Sequence, residues 1–173
     1  MRSWAAIKLI VLDYFASIYT SIIPYRFSKF YYLDMFAGAG IGIVEDSKGD
    51  LILGSSLLIG AYRTFTHMFF CEDDVDLCSA LEKRLLLVKH KDGFSVYPVD
   101  CNKVIAEILS QIKDGHSLIF IDPYGMDIGW DSFYQILTAR ADIILNFQTQ
   151  ENARGIIQPG GITLKSQRFF GEK

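Results

Sequence analysis

The chain of 173 residues is short of basic charge, of proline and of cysteine. Each shortage closes a class of function. Lys and Arg total 17 against 20 Asp and Glu, a formal charge of -3. A protein held to nucleic acid by bulk charge is basic, so any nucleic-acid contact here is local or supplied by something else. Four prolines and 14 glycines rule out collagen-like and low-complexity chains. Three cysteines, Cys71, Cys78 and Cys101, make an odd count without a C-x-x-C pair, and His67, His90 and His116 are scattered. That excludes a disulfide framework and a structural zinc site, and no metal is expected. Free, buried thiols in a reducing, cytoplasmic setting are expected instead.

A clean transmembrane run is also missing. Residues 4–23 are rich in apolar side chains and long enough to span a bilayer. Lys8 and Asp13 interrupt them, and Tyr14, Ser17, Tyr19, Thr20 and Ser21 dilute them. No small-residue cleavage site follows. The expectation is a docked first helix and no membrane.

What the chain has is apolar mass. Half of its residues are hydrophobic, with 13 Phe, 9 Tyr and 2 Trp. That suffices for a full core and excludes intrinsic disorder. The length fits one ordinary domain, or two only if both are small.

Hydrophobic patterning gives the order of elements. Pro24 ends the first helix. YYLDMF (31–36), HMFFCE (67–72), FSVYPV (94–99), SLIFID (117–122) and ADIILNF (141–147) are short apolar runs that predict strands. Residues 45–53 read as an exposed loop, and Ser55 or Ser56 as the cap of a helix through about Tyr62. Helical spacing predicts helices over 74–89, from Asn102 to Gly115, and over 130–140. Strands alternating with helices predict a mostly parallel sheet with helices on both faces.

In such sheets ligands bind beyond the carboxyl ends of the strands. Four strand ends here carry an acid. Asp34 precedes Phe36-Ala37-Gly38-Ala39-Gly40. Glycines there let a ligand approach the backbone, and Asp34 can help neutralise an ammonium group, directly or through water. The dinucleotide pattern G-x-G-x-x-G fails, because the sixth position from Gly38 is Ile43. Glu72 ends the second strand, where a carboxylate with two acceptor oxygens suits a ribose diol. Asp74 is the better cap for the helix that follows. Asp100, in Val99-Asp100-Cys101-Asn102, suits an exocyclic amine or a helix N-cap, and both readings stay open. Asp122-Pro123-Tyr124-Gly125 is the sharpest signal. Pro123 forces Asp122 into an extended conformation, so its carboxylate can orient a planar amine. Tyr124 can stack on a planar substrate, or sit in the core of a purely structural turn.

These residues resemble a class I S-adenosylmethionine-dependent methyltransferase. LDMFAGAG resembles its glycine-rich motif, FCEDD the ribose motif, PVDCN the adenine motif and FIDPYG the motif at the catalytic position. More closely, the chain is similar to the three-Cys-motif partner protein family. Lys8 and Tyr14 of the first helix, YLDMFAGAG, GSSL (54–57), FCE, VDCN, DPYG and DIILNF follow that family's order, and Arg154 resembles an arginine found after its N-F pair. Ser56 stands where the family has proline, and Val99 where it often has glycine. The three cysteines here are not the motif in the family's name.

The resemblance implies a Rossmann-like three-layer α/β sandwich with strand order 3-2-1-4-5. It implies S-adenosylmethionine as cofactor, held by Asp34, Phe36, Ala37, Gly38, Gly40, Glu72, Asp100 and Cys101. Asp122, Pro123 and Tyr124 would form the acceptor side, and a nucleic acid or a protein is the expected partner. The expected layout is a helix and linker over 1–30, a cofactor domain over 31–150 and a C-terminal segment over 151–173. Residues 148–173 are too few for a helix and two further strands, which take roughly 35. Strands six and seven of a complete methyltransferase sheet are therefore expected to be missing. That leaves two functional expectations: methyl transfer to a nucleobase or other planar amine or hydroxyl, or a catalytically incomplete cofactor- or partner-binding module. A nicotinamide oxidoreductase is disfavoured by the glycine spacing and by Glu72 lying far beyond the usual ~20 residues.

Overall fold

The computed structural model describes residues 3–43, 49–88, 93–147 and 164–170. Helix α1 (Ser3–Ile22) runs into a 3-10 turn at Ile23–Tyr25, where Pro24 removes a donor and ends the helix. Five parallel strands form the main sheet: β1 (Phe30–Asp34), β4 (His67–Glu72), β5 (Phe94–Pro98), β6 (His116–Ile121) and β7 (Ala141–Leu145). Their order is β5-β4-β1-β6-β7, which is the expected 3-2-1-4-5. Leu33 of β1 stands between Phe69 of β4 and Ile119 of β6. Among the described residues no sixth strand joins this sheet.

The layers follow from strand alternation. Tyr32, Met68, Phe70, Leu118 and Phe120 point to one face, covered by α1, α2 (Ser55–Tyr62) and α3 (Val75–Leu85). Leu33, Phe69, Cys71, Ile119 and Ile121 point to the other, covered by α4 (Cys101–Gln111) and α5 (Trp130–Leu137). The crossovers change face between β1 and β6, so the strand order reverses there and leaves a crevice at their carboxyl ends. Helix α6 (Leu164–Phe170) adds Phe169 to the second face.

Helix α1 is long and apolar enough to cross a membrane by length and composition. Here it docks on the sheet, as expected. Leu9, Leu12, Ala16 and Tyr19 are buried, and Leu12, Ala16 and Tyr19 join the same core as α2 and α3.

Two local expectations are corrected. Residues 45–53 are not all loop, because β3 (Leu51–Leu53) pairs antiparallel with β2 (Ile41–Ile43). Three-residue runs are too short for periodicity to reveal. Neither Ser55 nor Ser56 caps α2, whose N-cap is Gly54. Ser56 is buried and donates to the Ala37 carbonyl (2.8 Å). Arg154 lies outside the described residues.

Candidate functional site

Glycine makes the turn after β1 possible. Gly38 and Gly40 have φ of 58° and 78°, a region costly for residues with a Cβ. The two differ in what surrounds them. Nothing would meet a Cβ on Gly38, whereas one on Gly40 would lie 2.9 Å from Leu81 Cδ1 and 3.2 Å from Leu57 Cβ. Gly54 N–H also donates to the Gly40 carbonyl (2.7 Å). Close packing on α2, α3 and the hairpin therefore explains Gly40 without a ligand. Gly40→Ala is expected to cost about 2 kcal/mol or more, read as a lower urea midpoint with unchanged m-value.

Asp34 ends β1 fully buried. Its carboxylate accepts from Phe36 N–H (3.3 Å) and Tyr32 O–H (3.4 Å), with the Ser55 hydroxyl as a further donor. It lies beneath the crevice and does not line it. Burial pushes its pKa up to about 7, with the charge of Asp122 adding to the rise.

The crevice itself is a cleft of about 390 Å³ beyond the ends of β1, β4, β5 and β6. Three of the four strand-end acids, Glu72, Asp100 and Asp122, share its wall with Phe36, Cys101 and Tyr124. Ala37, Gly38, Gly40 and Pro123 do not line it. Ala37 N–H is tied to the Cys71 carbonyl (2.8 Å), and Pro123 is buried in the turn.

Each wall acid is held in place. Glu72 Oε2 accepts from Gly38 N–H (2.9 Å) and Oε1 from Asp74 N–H (3.1 Å). Each oxygen keeps a second lone pair for a diol. Burial raises the pKa of Glu72, and neighbouring Asp73 adds to the rise. Asp74 caps α3, accepting from Asp76 and Leu77 N–H as the sequence suggested. Asp100 caps α4, accepting from Asn102 N–H (2.9 Å), and stands in the cleft wall as well. Its two open readings are therefore compatible in space. The Cys101 thiol is pushed up to about 12, by burial first and by Asp100 second, so it is a protonated wall group and not a nucleophile.

Asp122 has the most specific surroundings. Oδ1 accepts from Asn146 Nδ2 (2.7 Å), just beyond β7, and Oδ2 is hydrogen-bonded and ion-paired to Lys8 of α1. The pair is largely enclosed, with the two side chains 25% and 12% exposed. Tyr124 is 80% exposed at the cleft rim, which removes it from the core. Gly125, with φ of 79°, turns the chain sharply after it.

Sequence reasoning gave no site role to three residues, Asn102 behind the wall and Asp127 and Arg168 in it. Asn102 ties the segments after β5 and β6 together. Its Nδ2 donates to Asp100 Oδ1 and to the Asp127 carbonyl, and its Oδ1 accepts from Gly129 N–H, all at 2.8 Å. Asp127 and Arg168 add charges from the post-β6 loop and from α6. An Asn two residues after a strand-end Asp was a readable signal, whereas nothing local in QRFF announces a wall residue. Among the described residues of the wall, five are acidic and Arg168 alone is cationic. Such a cleft attracts cations and repels phosphate chains.

No family model matches the chain, and no curated protein matches it. Among solved structures it is similar to protein LPL1258 from Legionella pneumophila str. Philadelphia 1, of the family model DUF519. The two are 16% identical with a TM-score of 0.49, over 69% of this chain and 56% of that one. The chain thus spans little more than half the length of that protein, and a likeness of this size carries nothing about function.

Proposed function

We propose that the chain binds S-adenosylmethionine in this cleft and directs methyl transfer to a nitrogen or oxygen of a planar acceptor. One observation carries the reading: Glu72, Asp100 and Asp122 leave three strands far apart in sequence and line a single acidic cleft. A cationic nucleoside suits that wall better than a dinucleotide, whose pyrophosphate would meet carboxylates. The cofactor brings the chemistry when bound, an electrophilic methyl on a sulfonium that leaves as a thioether. Glu72 would accept the ribose hydroxyls, and Asp100 with Cys101 would flank the base. Asp122 would accept from the acceptor amine and turn its lone pair, and Tyr124 would stack on its ring.

The similarity to three-Cys-motif partner proteins supports the same reading. Lys8, Asp122 and Asn146 are three separate motif positions of that resemblance, and they meet in one network. The acidic wall favours a neutral or cationic acceptor over one that brings phosphates to the cleft mouth.

A second reading, a binding module without transfer, is favoured by Asp122 already accepting from two protein donors. Calorimetry with S-adenosylmethionine and its demethylated product tests the first step. The expected result is a single site with tighter binding of the cationic form. No binding of either, or preference for NADH, rejects the proposal. Binding without transfer of labelled methyl to any acceptor selects the second reading.

A further inference from the structure

The two charges of α1 are both spent inward. Lys8 pairs with Asp122, and Asp13 with Arg63 (2.6 Å). The buried residues Leu9, Leu12, Ala16, Tyr19 and Ile23 recur at alternating spacings of three and four, which is the seam that meets the sheet. On the opposite side Ile7, Val11, Tyr14, Ile18 and Ser21 recur at the same alternation, with Ile10 and Ile22 beside them. The apolar members of this second seam are 41% to 70% exposed. Its one small polar residue satisfies itself, since Ser21 O–H donates to the Ile18 carbonyl (2.7 Å). A solvated helix face normally carries the charges, so this one is inverted.

The structure assigns this outer seam of α1 to a second copy of the chain, paired helix against helix about a two-fold axis. Three features point to that occupant. Alternating three-and-four spacing is the pattern that interlocks with another helix. With Ile10 and Ile22 it leaves six large apolar side chains 41% to 70% exposed on one side of the helix, the kind of contiguous patch that marks a protein–protein contact. It bears no charge, so two copies of a protein with net charge -3 meet there without like charges opposed. A lipid surface fits less well, because an interfacial helix carries Lys and Arg along its polar flank and α1 has neither in that role. Helix dipoles favour the antiparallel arrangement. The axis then passes near Tyr14, with Ile7 of one copy against Ile22 of the other and Val11 against Ile18.

Sedimentation equilibrium and light scattering on the full chain at micromolar concentration test this. The wild type is expected to be a dimer. V11E and I18K each place like charges near the axis and should give folded monomers, checked by near-ultraviolet circular dichroism. The double variant V11E/I18K sets opposite charges face to face and should recover the dimer. A monomeric wild type overturns the assignment, including one that instead floats with phosphatidylcholine vesicles. Single variants that stay dimeric, or a double variant that stays monomeric, overturn it too.

Discussion

Asp122→Asn is expected to lower methyl transfer by at least about 100-fold, or roughly 2.7 kcal/mol in the barrier, while changing cofactor affinity by less than about threefold. The reason lies in what holds each group. Asp122 is fixed by Lys8 on one oxygen and Asn146 on the other, at the end of β6. Glu72 and Asp100 are fixed by backbone amides at the ends of β4 and β5. The two sets share a wall and no hydrogen bond among those described. Asn keeps the shape of Asp122 but gives up an acceptor oxygen and its charge, so a bound amine would lose its orientation. Lys8 also loses its counter-charge in a largely enclosed position, so thermal stability must be measured beside activity. Equal loss of binding and transfer, with the fold intact, would refute this division of roles.

Asp34→Asn is expected to stabilise the protein at pH 8 and to do nothing of the kind near pH 4. The Asp34 pKa is pushed up to about 7 by burial, while an unfolded Asp sits near 3.9. A raised acid gives up its stabilising share as pH climbs. Below about pH 4 both states hold the proton and that share is complete. Between about 4 and 7 the unfolded chain releases its proton first, so stability falls, and above 7 the loss is complete. The span is on the order of 4 kcal/mol. Asn has no proton to lose, so this slope disappears. The Asn side chain must face three donors, from Tyr32, Ser55 and Phe36, and one mismatch offsets about 1–2 kcal/mol of the gain. Urea midpoints across pH 4 to 8 read the effect. A constant difference between variant and wild type at every pH would show that Asp34 is ionised throughout.

The five parallel strands were legible because each is a nearly continuous apolar run ended by an acid or a turn. Their order followed from the resemblance, and the structure has the same order. Asp34 shows what position along a strand leaves out. Its place at the tip was visible, but not the start of α2 folding over it, which puts the carboxylate under the crevice floor. Gly40 shows the same limit from the other side: it was read as leaving room for a ligand, whereas the crowding by Leu57 and Leu81 depends on helices packed later in the chain. Lys8 and Asn146 stood out only as motif positions. Their meeting at Asp122 joins residues 114 and 24 positions apart, and no local periodicity encodes that. The β2–β3 hairpin was hidden by its brevity.

The anchoring of Asp122 divides the polypeptide into a grip and a trigger. Glu72 and Asp100 are held by amides within the stretch from β1 to the start of α4, whereas Asp122 is held by α1 and the residue after β7 at the same time. On the proposed reading, loosening either anchor by substitution at Lys8 or Asn146 would disturb Asp122 while leaving the hydrogen bonds that hold Glu72 and Asp100 in place.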